Sequence, residues 1–187
     1  MSDIVTSELE APVEDLETPE DDDEDLLVPP GERKIYTDPG DPEIDSLHGK
    51  FKRDKLVVQP DFQRQFVWDR QMASRLIESA LLDIPLPVIY ISQEPDNKEY
   101  VIDGQQRLTS FFSFIDGKLP DGSSFSLTGL KVLRELNAKS YKELSDALQD
   151  QVRYFKVRTI TFRKESNPEL KFEIFERLNT GSVKLND

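Results

Sequence analysis

The string Tyr100-Val101-Ile102-Asp103-Gly104-Gln105-Gln106-Arg107-Leu108 brings an apolar strand to a glycine and sends a helix out of it. The first N–H groups of a helix have no acceptor inside the helix, and its dipole is positive there. Such an end receives phosphate readily. Arg107 adds a planar, permanently charged fork that matches phosphate oxygens. Gln105 and Gln106 can donate amide hydrogen bonds or orient a water, and Gly104 lets the backbone turn tightly. Asp103 can cap the helix, or hold a metal or a water beside the phosphate. A plainer reading leaves Asp103 as an N-cap and Arg107 as a surface charge. Two adjacent glutamines between Asp-Gly and Arg have no structural necessity, and they tilt the reading toward function.

Two other strings carry chemistry. Gln59-Pro60-Asp61-Phe62-Gln63-Arg64-Gln65-Phe66-Val67-Trp68 packs three aromatics around Arg64 just before a helix. There Arg64 can meet phosphate and an aromatic ring can stack on a base. Equally, Trp68 can pack at the start of the helix as a hydrophobic staple. In Phe175-Glu176-Arg177-Leu178-Asn179-Thr180-Gly181, the choice is between a C-cap with Gly181 in the left-handed region and a polar wall of Arg177, Asn179 and Thr180 around a ligand.

Other chemistries are excluded by what is missing. The chain has no cysteine, so disulfides, thiolate zinc sites and cysteine nucleophiles drop out. His48 is the only histidine. It reads as a surface residue, and no His-His metal pair, Ser-His-Asp triad or HNH nuclease centre can be assembled within the chain. No glycine loop ends in Gly-Lys-Ser/Thr, so this is not a P-loop NTPase. Lys52-Arg53, Arg153, Lys156 and Arg158 could touch nucleic acid, but alternating charges on a strand usually mark a solvated face.

The elements that position these residues follow from periodicity. Ile44, Leu47 and Phe51 share a helical face. Leu56-Val57-Val58 reads as a short strand. Residues 69–82 read as a helix with Asp69 at the N-cap and Met72, Leu76, Ile77, Ala80 and Leu81 on one face. Ile84-Pro85-Leu86-Pro87 is a rigid connector, and 88–91 and 99–102 are strands. Residues 105–115 form a helix with Leu108, Phe111, Phe112 and Ile115 inward, stopped at Asp116-Gly117. Residues 120–130 read as a loop or short hairpin, 132–148 as helix in two pieces, 152–162 as a long strand, and 168–178 as a helix that ends in an Asn179-Thr180-Gly181 turn.

The whole has the composition of a small α+β domain of 187 residues. Its net charge of −13 is local: of 37 acidic residues, 12 lie in the first 30, where there is no Lys or Arg, which leaves 25 against 24 basic residues elsewhere. That acidic leader reads as disordered, either a solubilising tail or an arm that mimics DNA or docks a partner. Residues 1–42 are therefore expected to be tail and linker, with Asp38-Pro39-Gly40-Asp41-Pro42 a dense turn signal and the domain at 43–187. No stretch approaches a membrane span and no secretory signal is evident, so a cytoplasmic place is expected.

Phe62-Gln63-Arg64 with Trp68, Leu76-Ile77-Glu78-Ser79, Ile84-Pro85-Leu86-Pro87, Ile102-Asp103-Gly104-Gln105-Gln106-Arg107-Leu108 and Phe175-Glu176-Arg177-Leu178-Asn179-Thr180-Gly181 come in the order of a known family. Over residues 44–187 the chain resembles the DGQQR-motif family, the N-terminal domain of GmrSD-type, modification-dependent (type IV) restriction endonucleases. The resemblance implies a ParB/sulfiredoxin-like fold, a small mixed sheet flanked by helices. It implies binding and hydrolysis of a nucleoside triphosphate, with Mg²⁺ as its companion, coupled to DNA restriction and phage defence. Asp103, Gly104, Gln105, Gln106 and Arg107 would form the nucleotide site, with Arg64, Asn179 and Thr180 in the same pocket. An HNH-type nuclease would be supplied in trans, with DNA a further partner. Sulfiredoxin chemistry needs a cysteine and is excluded. Because the chain ends six residues after Gly181, the expectation divides three ways: an NTP-hydrolysing subunit, a non-catalytic nucleotide-binding regulator or truncated remnant, and a direct ParB-like nuclease, which the single histidine disfavours.

Overall fold

A computed structural model of the chain describes residues 33–58 and 68–181, with backbone alone at 179–181. The expectations for the acidic leader and for the string 59–67, Arg64 included, lie outside the described residues. What is described is an α+β domain: β1 (Thr37–Gly40), α1 (Ile44–Lys52), β2 (Leu56–Val57), α2 (Arg70–Leu81), β3 (Ile89–Gln93), β4 (Glu99–Asp103), α3 (Gln105–Asp116), α4 (Asp146–Arg153), β5 (Thr159–Phe162) and α5 (Pro168–Gly181).

The strands form one mixed sheet in the order β1-β5-β3-β4-β2. β3 and β4 are an antiparallel pair, with Ser92 opposite Tyr100 and a register irregularity between Tyr90 and Ile91. β5 runs parallel to β3, β2 parallel to β4, and β1 closes the far edge antiparallel to β5. Alternation along β3 splits the two faces. Ile89 and Ile91, with Val101, join α1 to α4 in the main core around Phe111 and Phe114. Tyr90 faces the other way and stacks near Phe162, whose ring meets Phe175 of α5 at 5.3 Å.

Several helix ends are set locally. Asp69 Oδ1 accepts from the Met72 N–H at 2.7 Å, as an N-cap does. Gly117 ends α3 with φ +75, a left-handed cap that costs glycine little.

Six expectations are corrected. The turn-rich 37–40 segment is not linker but the edge strand β1, where Pro39 is tolerated because an edge strand pairs on one side only. Residues 132–148 are not two helices but short 3₁₀ turns at Arg134–Leu136 and Tyr141–Glu143 ahead of α4. Just ahead of the first of these turns, three successive amides bind the buried Glu78 carboxylate: Val132 and Leu133 donate to Oε1 at 2.8 and 2.9 Å, and Lys131 to Oε2 at 3.3 Å. Ala138, at φ +67, interrupts the segment again. The strand expected from 152 starts only at Thr159, because Val152 is a fully buried residue of α4. Finally, α5 continues helically through Asn179 to Gly181, so the expected C-cap turn is not there. Met72, expected inward, is exposed. His48 is not a surface residue: its side chain keeps 13% exposure, packs on Phe112, and places Nε2 3.3 Å from Asp116 Oδ1.

Candidate functional site

The β4–α3 junction is built as the sequence predicts, strand to glycine to helix. The N-cap is Gly104, not Asp103. Gly104 has φ +101 and supplies no side chain to the first turn of α3. An added Cβ would lie 2.9 Å from Ile89 Cγ1 and 3.3 Å from Arg107 Nη2. The turn is therefore packed as well as left-handed, and only glycine suits it.

The carboxylate of Asp103 meets Arg107, whose Nη2 lies 2.7 Å from Asp103 Oδ2. The same guanidinium donates to the carbonyls of Pro87 and Val88. Its side chain is only 11% exposed, while Asp103 keeps 42%. Burial pulls the Arg107 guanidinium below its ordinary pKa, against the opposing pull of Asp103. Arg107 thus ties the connector before β3 to the end of β4. It joins strand ends rather than projecting from the helix.

The glutamines divide the remaining work. Gln105 Nε2 donates to the Val101 and Ile102 carbonyls at 3.0 and 3.3 Å, which ties off the end of β4. Gln106 Oε1 accepts from the Trp68 N–H at 3.3 Å. Trp68 is half-buried against the core at the start of α2, as the staple reading expects.

Asp103, Gly104 and Arg107 are thus brought together, with Gln105 and Gln106 in the same turn. Arg64 lies outside the described residues. Asn179 and Thr180 sit on the last turn of α5, which packs against β4, and nothing more is described of them. Sequence reasoning missed the Pro87 and Val88 carbonyls and the Ile89 side chain under Gly104. The signal was present in Ile84-Pro85-Leu86-Pro87: proline carries no N–H, so such a connector offers the chain chiefly carbonyls.

Among the described residues, no three His, Asp or Glu side chains gather as a metal-binding group, and no helix is long and apolar enough to cross a membrane. The family model described as GmrSD restriction endonuclease, N-terminal domain, matches residues 44–187. No curated protein and no solved structure is similar enough to match.

Proposed function

The chain belongs to the GmrSD restriction endonuclease N-terminal domain family, and from that premise we propose that it binds a nucleoside triphosphate at the start of α3 and hydrolyses it within a restriction system. A nuclease partner in that system cuts the DNA. The observation that carries the reading is the cap. α3 begins at a glycine, which has no side chain to cap it, and the carboxylate just before it is paired with Arg107. The helix dipole points its positive end at this turn, the polarity that an anion needs.

In this reading the α3 amides hold the terminal phosphates, and Gln105 and Gln106 orient the attacking water. Arg107 is a positioning residue: it fixes the Gly104 turn and the direction of Asp103. Arg64, Asn179 and Thr180 complete the pocket. Bound Mg²⁺ supplies charge neutralisation. It keeps several waters and needs only one or two carboxylates beside the phosphates, and the partly exposed Asp103 fits that requirement.

The test is calorimetry and phosphate release with the purified chain, the four common NTPs and Mg²⁺. Turnover that disappears in Gln106→Ala, with the circular dichroism spectrum retained, is the expected result. Binding without turnover selects the non-catalytic regulator. No binding of any NTP sinks both readings.

A further inference from the structure

The starts of α2 and α3 are joined by one side chain. Gln106 is the second residue of α3, and its Oε1 accepts the Trp68 N–H at 3.3 Å. Trp68 stands one residue before Asp69, the N-cap of α2, whose carboxylate accepts the Met72 N–H at 2.7 Å. The bond therefore runs from the first turn of one helix to the entry of the other, between residues 38 apart in sequence. At 3.3 Å it is longer than most N–H···O bonds, so a small shift of the α3 turn can tighten or break it.

α2 hands its position on. Ser74 Oγ accepts the Thr128 N–H at 3.0 Å, and the Glu78 carboxylate holds the amides of Lys131, Val132 and Leu133. Gly129 approaches the same helix so closely that an added Cβ would collide with the Gln71 side chain. A packed interior transmits such displacements instead of absorbing them, so a movement at the start of α2 carries residues 128–133 with it. Coupling between distant places travels through contiguous bonds and contacts of this kind.

We propose that Gln106 is a positioning residue that couples anion binding at the start of α3 to the setting of α2, so that a triphosphate on α3 is registered at Trp68 and onward at residues 128–133. This rests on the nucleotide reading and adds regulation to it. An anion drawn to the positive end of α3 meets the turn that carries Gln106. Tightening that turn draws the Gln106 oxygen onto the Trp68 N–H. The joint carries its own reporter, because Trp68 is half-buried and is the only tryptophan in the chain.

The test uses the full chain with Mg²⁺, titrated with inorganic tripolyphosphate and with ATP. Calorimetry follows binding. Tryptophan emission and exchange of the Trp68 amide, read by NMR, follow the coupling. Wild type is compared with Gln106→Met, which keeps the length and loses the acceptor, and with Gln106→Glu, which keeps an oxygen at the same reach. Each protein is read at its own saturation, with the circular dichroism spectrum retained. Without ligand, the Trp68 amide should exchange several-fold to roughly tenfold faster in Gln106→Met than in wild type. With either ligand, emission should change and the amide should slow in wild type. Both responses should vanish in Gln106→Met and return in Gln106→Glu.

An unchanged ligand-free exchange rate in Gln106→Met overturns the inference. So does a wild-type emission response in that variant, which would mean that the ligand reaches the indole by another route. Loss of binding in Gln106→Met overturns it too, since the side chain would then be a phosphate ligand. A response to ATP alone, with tripolyphosphate bound but silent, assigns the signal to the base and overturns it. Binding in wild type without either response overturns the coupling and leaves the nucleotide reading standing. If calorimetry finds no binding of either ligand, the nucleotide reading has failed and the coupling falls with it.

Discussion

The Arg107 guanidinium lies 2.7 Å from the Asp103 carboxylate, one helical turn away, across the left-handed Gly104. The pair is the hinge pin of the β4–α3 junction. Because Arg107 also holds the Pro87 and Val88 carbonyls, its removal disturbs three chain segments at once.

Arg107→Ala is therefore expected to lower stability by about 2–4 kcal/mol, since it leaves a carboxylate and two carbonyls without their donor. Arg107→Lys recovers only part, because an ammonium cannot reproduce the fork. Urea denaturation of the three proteins decides the matter. An alanine variant with the wild-type midpoint would show that the guanidinium does not brace the junction.

Gly104 and Gly117 make a controlled comparison. Both have positive φ, but an added Cβ at Gly117 meets nothing within 4 Å, whereas at Gly104 it meets Ile89. Gly117→Ala should cost about 1 kcal/mol, the backbone strain alone. Gly104→Ala should cost about 1–3 kcal/mol more, as overpacking adds to the strain. Equal thermal shifts for the two variants would contradict this account.

Glu78 makes stability depend on acid. Burial is the largest single influence on its carboxyl and acts upward, but three backbone donors, with Arg75, carry the net pKa below 4.5. A depressed carboxyl stabilises the fold above its unfolded pKa, and that contribution is lost as pH falls through the folded value. Glu78→Gln should thus cost about 1.5–3 kcal/mol near neutral pH. The gap from wild type should close below about pH 4.5. Denaturation midpoints across that range give the answer, and a gap that stays constant into acid would refute the assignment.

Lys171 docks α5. It is 5% exposed, and its ammonium donates to Ser92 Oγ of β3 at 3.2 Å and to Glu94 Oε1, just past the end of β3, at 2.9 Å. Glu94 is partly solvated, so Lys171→Met should cost about 1–3 kcal/mol, less than a fully buried pair would. The amides of α5 should exchange faster with deuterium while those of α2 and α3 keep their protection. Uniform acceleration across the domain would mean that α5 is not a separately docked element.

The elements legible in the sequence are those closed by near neighbours. α3 could be read from Leu108, Phe111 and Phe112, and its end from Gly117. α2 could be read from Asp69, whose partner is three residues away. The strand–glycine–helix junction belongs with them, because a glycine between an apolar run and a helical face leaves few alternatives. The Phe51 ring, by contrast, was visible only as one member of an apolar face. Its exposure beside Phe112 depends on how α1 and α3 cross.

By itself, then, the sequence determined the family's motif string, the α+β alternation and the place where a helix would begin. Tertiary structure decided what those residues touch. β1 is a strand because β5 lies beside it, 119 residues from Gly40 to Thr159, and that pairing overrode a turn signal carried by Pro39 and Gly40. The amides of Lys131, Val132 and Leu133 are held by a carboxylate more than 50 residues upstream, Glu78. Arg107 faces Pro87 and Val88 because the connector before β3 lies under the turn. Local propensities are worth a few tenths of a kcal/mol per residue, whereas a buried polar group left without a partner costs about 1–3 kcal/mol. Wherever the two conflicted, the distant partner won, and its identity is written in the fold and not in the neighbouring residues.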